Sequence, residues 1–195
     1  MRRYLRKIAF WGCAFFAFIF IVGVTTYAVL KTAVYPARYK SEISELSAEY
    51  DFDIYLIYAL INAESGFDVN AVSNKNAKGL MQITDQTAAF IADKLQVQEY
   101  DLFDPATNLR FGCFYLRYLT DKFKEEKTAL AAYNAGERNV SDWLKDPRYS
   151  ADGKTLYTIP FKETDDYLKR IENNKKAYRF FYRDTLCANV DNTKG

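Results

Sequence analysis

A run of 23 residues from Ile8 to Leu30 contains no charged side chain, and it constrains the fold more than any other stretch of the sequence. About 20 apolar residues are enough for a helix to cross a bilayer, so a transmembrane helix over residues 8–30 is predicted. The run is too long for an ordinary signal-peptide core, and Thr26, Tyr27 and Ala28 form a poor cleavage site. We therefore expect an uncleaved anchor rather than a removed leader.

The charges around this run predict its orientation. Residues 1–31 hold five basic side chains and no acidic one, and these are Arg2, Arg3, Arg6, Lys7 and Lys31. Under the positive-inside rule, residues 1–7 form a cytoplasmic basic flank, and everything after the helix lies outside. The remaining sequence holds 22 basic and 25 acidic side chains, a mildly acidic balance that gives no sign of nucleic-acid binding.

The sequence contains no histidine and three cysteines, at positions 13, 113 and 187. Without imidazole, Ser-His and Cys-His nucleophiles and the usual zinc sites are excluded. The cysteines lack C-x-x-C spacing, so neither a metal site nor a cofactor is expected. A disulfide between Cys113 and Cys187 is permitted outside the cell, but Cys113 falls on an apolar helical stripe, which favours free thiols. Acid–base chemistry would then fall to carboxylates.

Beyond a linker at 31–40 that contains Pro36, the apolar periodicity predicts a mainly α domain. Ile43, Leu46 and Ala48 indicate an amphipathic helix over 41–50, and a fully apolar helix follows from Ile54 to Ala63. Further helices are predicted from Thr84 or Asp85, from Pro105, over 128–135, around Val140 to Leu144 and over about 163–182, with a tail at 186–195. No stretch alternates as a strand would, although a small β element in the loops stays open.

Glu64 ends the apolar helix, after a plausible N-cap at Asp53 and before a plausible stop at Gly66. A carboxyl at the edge of a core is desolvated, which raises its pKa and suits a proton donor at neutral pH. A glutamate at a helix end is usually just solvated, so this residue alone would favour no function.

Other parts of the sequence change the interpretation of Glu64, because six blocks, in order, resemble the soluble lytic transglycosylase family. The blocks are Glu64 with Ser65; Ser73; Gly79 to Ile83; Asp104 and Pro105 with Asn108, Gly112 and Tyr115; Ala132 to Gly136; and Ile159 to Phe161 with Glu163, Thr164 and Tyr167. The resemblance covers roughly residues 43–182, and it implies a lysozyme-like helical catalytic domain over 41–185.

The resemblance also implies the site and its substrate. Glu64 would be the catalytic acid, and the substrate-binding residues would be Ser65, Ser73, Met81, Gln82, Tyr115, Tyr133, Asn134, Glu163 and Tyr167. Within that set, Met81 and Gln82 would line the groove, and Ser73 would hydrogen-bond near Glu64. The implied partners are peptidoglycan glycan strands and, through the anchor, a bacterial cytoplasmic membrane.

The implied reaction cleaves the β-1,4 bond between N-acetylmuramic acid and N-acetylglucosamine and leaves a 1,6-anhydro end. Asp51, Asp53 and Asp68 lie near Glu64 in the sequence, but none matches a second catalytic position of the family. Two alternatives remain at this point: a hydrolytic muramidase on the same fold, and a scaffold that binds peptidoglycan without cutting it.

Overall fold

The computed structural model describes residues 1–186, apart from the side-chain surroundings at positions 5, 8, 9 and 184. The chain divides into two compact units, Met1–Pro36 and Ala37–Gly195. Leu186, the first residue of the predicted tail, is helical and buried, whereas residues 187–195, including Cys187, lie outside the described residues. The expectation of free thiols therefore stays a prediction, although Cys113 is fully buried.

The first unit is helical. Helix α1 spans Arg2–Val29, and a π-helical turn continues it over Leu30–Val34. The stretch Phe10–Val34 is long and apolar enough to cross a membrane, a test that an N-terminal signal sequence also passes. Residues 31–34, which we expected in the linker, are thus helical, and the helix ends just before Pro36, whose ring does not fit a helix interior.

The second unit contains seven helices within the described residues. They are α2 (Lys40–Glu49), α3 (Ile54–Glu64), α4 (Asp85–Leu95), α5 (Pro105–Phe123), α6 (Glu126–Ala135), α7 (Glu137–Lys145) and α8 (Lys162–Leu186). Isolated antiparallel bridges pair Val72 with Lys78 and Lys78 with Ile83, and no longer strand occurs in residues 1–186. The predicted mainly α class is confirmed.

Helix α3 forms the centre of the core. Its residues from Ile54 to Ile61 are all buried, as the apolar pattern predicted, and Asp53 caps it by accepting a hydrogen bond of 3.0 Å from the Tyr55 amide. Helix α8 packs along α3, and the buried Asn174 side chain donates to the Ala59 carbonyl at 3.3 Å. This pairing fixes the end of α3, where Glu64 lies, against the last helix of the domain.

The predicted helix starts are confirmed where a local cap defines them. The Thr84 hydroxyl accepts from the Thr87 amide at 3.2 Å, and Asp104 caps α5 with Pro105 in its first turn. Gly136 ends α6 with a φ of +90°, a conformation that favours glycine.

The buried face of α2 differs from the predicted one. Ile43, Ser44 and Ser47 are buried, whereas Leu46 is half-buried and Ala48 is exposed. Two small serines let this helix pack closely against its neighbours, and apolar periodicity does not detect such a face.

Candidate active site

Glu64 is the last residue of α3, and its carboxyl group lies at the edge of the core. Burial raises its pKa to about 7. The Tyr167 hydroxyl donates a hydrogen bond of 2.5 Å to Glu64 Oε1, which favours the ionised form and partly opposes the effect of burial. The predicted rise in the pKa of Glu64 is confirmed.

Arg170 is a neighbour of this carboxyl group that the sequence reasoning missed. Its guanidinium donates to the Ala63 carbonyl at 3.5 Å, and its charge lowers the pKa of Glu64. Arg170 follows Tyr167 by three residues on α8, so both share one helix face. That spacing was visible in the sequence once Tyr167 had been singled out.

Ser65 joins the end of α3 to the segment from Gly79 to Ile83. Its hydroxyl donates to the Leu80 carbonyl at 2.8 Å and accepts from the Phe67 amide at 3.1 Å. These contacts occupy the hydroxyl with the protein's own backbone, so Ser65 positions the site rather than pointing a free group at a ligand.

The hydrogen bonds of the Ser73 side chain are not the ones that the resemblance implied. It is exposed, and its hydroxyl accepts from the amides of Lys75 and Ala77 at 3.3 and 3.1 Å. A serine that closes its own turn is a common loop feature. The structure therefore gives Ser73 a role in shaping the loop and no hydrogen bond near Glu64.

Met81 is completely buried, so its side chain lies beneath the groove rather than along it. A Cβ on Gly112 would collide with the Met81 side chain, which explains why a glycine is needed on α5 at this point. The Met81 backbone is nevertheless part of the site. Its amide donates to Asn108 Oδ1 at 2.7 Å, and its carbonyl accepts from the Tyr133 hydroxyl at 2.8 Å.

Asn108 holds this segment in place. Besides accepting from Met81, its amide nitrogen donates to the carbonyls of Lys78 and Leu102 at 2.9 and 2.8 Å. Gly79 has a φ of +74°, and a Cβ there would collide with the Asn108 amide. The segment is thus fixed by a buried side chain from α5.

A cleft of about 880 Å³ opens beside this segment. Four of the predicted substrate-binding residues line it, namely Gln82, Tyr115, Tyr133 and Asn134. Glu64 is not part of the lining, but burial and, after it, the charge of Glu64 raise the pKa of Tyr133. Tyr133 therefore lines the cleft and lies close enough to Glu64 to feel its charge.

Gln82 has a φ of +50°, a left-handed conformation that is uncommon for a residue with a side chain. Its amide nitrogen donates to the carbonyls of Gly79 and Ala71 at 2.9 and 3.2 Å. These two bonds hold the side chain in the wall of the cleft. Strain of this kind concentrates at functional sites.

At the start of α8, Thr164 contacts a residue of the cleft wall. Glu163 is exposed, whereas the buried Thr164 hydroxyl donates to Asn134 Oδ1 at 2.8 Å. Glu163 is not among the residues that line the cleft, so its role in binding substrate stays a prediction, and Thr164 is the residue that orients Asn134. Tyr167, one turn further along, is buried against Glu64.

The aspartates near Glu64 in the sequence are engaged elsewhere. Asp53 caps α3 and pairs with Arg179 at 2.5 Å, and Asp68 accepts from the Asn70 amide at 2.9 Å. Asp51 is exposed in the turn before α3. Among the side chains that the structure describes, no group of three or more Cys, Asp or Glu could hold a metal ion.

Comparison with known proteins identifies the family to which this chain belongs. Residues 41–156, more than half of the chain, match the family described as Transglycosylase SLT domain. The chain belongs to this transglycosylase family. The matched range covers the Glu64 helix, the Gly79 to Ile83 segment and the cleft, and it ends before Tyr167.

The relatives of this SLT-family chain include soluble and membrane-bound proteins. The chain is 30% identical to the soluble lytic murein transglycosylase of Escherichia coli K12, over 77% of its own length and 24% of the relative's. It is also 30% identical to the membrane-bound lytic murein transglycosylase C of Histophilus somni, covering 75% of itself and 47% of that protein. The chain thus spans between a quarter and a half of the length of these relatives.

The solved structures agree on the fold. An inactive glutamate-to-glutamine mutant of the lytic transglycosylase Slt from Pseudomonas aeruginosa superposes with a TM-score of 0.66 at 30% identity, over 74% of this chain and 24% of that one. The 70 kDa soluble lytic transglycosylase of Escherichia coli gives 0.65 at 27% identity, over 75% and 25% of the two chains. The lysozyme-like fold is therefore confirmed.

Proposed function

We propose that this SLT-family chain is a membrane-anchored lytic transglycosylase of peptidoglycan with Glu64 as its acid and base. The observation that carries the proposal is the state of Glu64, which has a pKa of about 7 and accepts a hydrogen bond from Tyr167. Such a carboxyl group is partly protonated at neutral pH, so it can both donate and later accept a proton. The names of the relatives support murein as the substrate.

In the proposed reaction, Glu64 donates its proton to the glycosidic oxygen between N-acetylmuramic acid and N-acetylglucosamine. The bond from C1 of the muramic residue to that oxygen breaks, and the acetamido group of the same sugar stabilises the positive charge at C1. The C6 hydroxyl oxygen then attacks C1 and gives its proton to the Glu64 carboxylate. Glu64 is protonated again, and the product carries a 1,6-anhydro ring. The reaction consumes no water.

Tyr167 would assist the middle of this sequence. Its hydroxyl donates to Glu64, so it stabilises the carboxylate that exists between the two proton transfers. Attack by a hydroxyl of the same sugar ring has the proximity advantage of an intramolecular reaction, which a free water molecule lacks.

The surroundings of Glu64 support a mechanism with one carboxylate. Ordinary glycosidases use two carboxylates across the scissile bond. Here burial raises the pKa of Glu64, Tyr167 and Arg170 lower it, and the carboxylates that line the cleft, Glu137 and Asp142, are paired with Lys122 and Lys145. The hydrolytic muramidase, which needs an activated water, is therefore the less favoured alternative.

The non-catalytic scaffold is the second alternative. A scaffold would need the cleft but not a carboxyl group that has a raised pKa and accepts a hydrogen bond from a tyrosine hydroxyl. Retention of both features favours catalysis, since a buried carboxyl group is costly in the ionised form and brings no benefit to a wall that only binds sugars.

One experiment separates these functions. The full chain, purified in a non-ionic detergent, is incubated with cell-wall sacculi, and the released muropeptides are weighed by mass spectrometry. We expect products one water lighter than hydrolysis products. Reducing ends would establish the muramidase, and intact sacculi with bound protein would establish the scaffold.

The matched variants are Glu64→Gln and Glu99→Gln. Glu64→Gln keeps the side-chain shape and removes the proton, so we expect release to fall by about 10²-fold or more while binding and folding persist. Glu99 is an exposed carboxylate in the loop before α5, and its variant should cleave like the parent. Release near the parent rate by the Glu64 variant would mean that another group is the acid.

A further inference from the structure

The cleft carries charged side chains that the proposed reaction does not use. Its lining includes three cations, Lys75, Arg138 and Lys145, and two carboxylates, Glu137 and Asp142. An excess of positive charge in a concave surface attracts anions more strongly than the same charges on an open surface.

Both carboxylates are already paired. Asp142 lies 3.2 Å from the Lys145 ammonium, and Glu137 pairs with Lys122. Among the described residues, neither Lys75 nor Arg138 has a carboxylate within ion-pairing distance. The cleft therefore presents two cations whose charge the described part of the protein does not neutralise.

These two cations come from different elements of the wall. Lys75 belongs to the loop that precedes Gly79. Arg138 lies in the first turn of α7, the helix that begins directly after the glycine that ends α6. Both are exposed, as unpaired cations on protein surfaces usually are. What distinguishes them is that the neutral amide side chains of Gln82 and Asn134, which we predict to bind sugar, line the same cleft.

We infer that Lys75 and Arg138 bind a carboxylate of the glycan strand and make the cleft select acidic strands over neutral ones. This inference rests on the proposed function, since it takes peptidoglycan as the ligand. Arginine binds a carboxylate through two parallel hydrogen bonds, and lysine adds a mobile point charge. Neutral N-acetyl sugars alone would give these charges no partner.

Peptidoglycan offers such a carboxylate from two sources. One is the lactyl group of the muramic acid where no peptide is attached, and the other is the acidic stem peptide that the lactyl group carries otherwise. The chemistry at the protein is the same in both cases, so the experiment compares ligands that contain one, the other or neither.

The test measures binding without cleavage. The full chain carrying Glu64→Gln, in non-ionic detergent, is titrated with a neutral N-acetylglucosamine oligomer, a peptide-free glycan fragment and a peptide-bearing fragment. The same titrations are repeated with Lys75→Gln and Arg138→Gln added. The control adds Lys40→Gln and Lys124→Gln, which remove equal charge from exposed lysines outside the cleft.

We expect the cleft variant to bind acidic fragments about 3- to 10-fold more weakly, as for two exposed charge contacts, and to bind the neutral oligomer unchanged. The difference should shrink at about 0.5 M salt because of screening. A loss already present with the peptide-free fragment assigns the lactyl carboxylate, and a loss confined to the peptide-bearing fragment assigns the peptide.

Equal binding of all three ligands by the cleft variant and its parent would overturn the inference. So would an equal loss for the neutral oligomer, or the same loss in the Lys40 and Lys124 control. Cleavage is measured separately, with the parent chain in which Glu64 is unchanged. If that chain leaves sacculi intact while the charge-dependent binding persists, the proposed cleavage fails and the carboxylate site stands.

Discussion

At the scale of single residues, the surroundings of Glu64 shift the pKa of its carboxyl group in opposite directions. Burial keeps the proton on the carboxyl group, while Tyr167 and Arg170 favour the ionised form, and burial outweighs both because the pKa stays near 7. A group balanced in this way changes its protonation state with small changes in its neighbours. The pH dependence of activity is therefore the most direct readout of this site.

Replacing Tyr167 by Phe removes the hydroxyl that favours the carboxylate. The pKa of Glu64 should rise further, so the fall of kcat/KM on the alkaline side should move to higher pH, with kcat lower by about 10-fold. A pH–rate profile between about pH 5 and 9 measures both. A lower rate with an unmoved alkaline limb would show that the hydroxyl does not help to set the pKa of Glu64.

Arg170→Gln is the matched comparison. Removing this cation should move the alkaline limb in the same direction, by less, because Arg170 is exposed and screened by solvent and salt. The rate on the acidic side should stay near that of the parent, since the Tyr167 contact persists.

Stability should also depend on Glu64. The pKa of this carboxyl group is 4.5 when the side chain is free in water and about 7 in the folded chain, so the folded state holds the proton more tightly. Stability therefore falls as pH rises from about 4.5 to 7. Glu64→Gln removes this loss and should be more stable than the parent by about 1 to 3 kcal/mol at about pH 8, with little difference at about pH 4.

Urea denaturation of a form that starts at Ala37 measures this effect. Glu99→Gln is the control and should follow the parent at both pH values, since that carboxylate is exposed. Equal stability of the parent and the Glu64 variant at the alkaline pH would mean that the folded state accommodates the ionised carboxylate at no cost.

At the scale of elements, Asn108 connects α5 to the segment that forms the cleft wall. Asn108→Ala would leave the Met81 amide and the Lys78 and Leu102 carbonyls without this partner, at a cost of about 2 to 4 kcal/mol. Urea denaturation midpoints of the variant and the parent measure this loss of stability. Asn173→Ala, on the exposed face of α8, should stay within about 0.5 kcal/mol of the parent, and an equal loss there would contradict the assignment.

Local signals predicted the elements well, because a cap or a proline acts within a few residues. Asp53, Thr84 and Pro105 each mark a helix start in the structure. The apolar run before Glu64 also sufficed to predict a buried helix and a raised pKa. The placements that failed, or were missed, depend on partners far along the chain.

Met81 illustrates why those placements could not be read from the sequence. Its burial depends on Gly112 and its backbone contacts on Asn108 and Tyr133, all on later helices. The same holds for Thr164, which meets Asn134 across 30 residues. Ser73 had no such partner, and its hydroxyl closed its own loop instead.

At the scale of the whole molecule, the apolar N-terminal helix predicts where the domain works. We expect the full chain to fractionate with membranes, and residues 32–195 to lie outside the cytoplasmic membrane because the basic flank precedes the helix. Protease added to spheroplasts should then digest the domain. Protection of the domain in intact spheroplasts, with digestion after lysis, would reverse the orientation.

The hydrogen bond between Tyr167 and Glu64 joins positions 103 residues apart. A ribosome makes the glutamate and its helix early, whereas the tyrosine arrives with the last helix. An unfinished chain therefore carries the carboxyl group without the hydroxyl that holds it. The site is therefore complete only after α8 has been synthesised and has packed against α3.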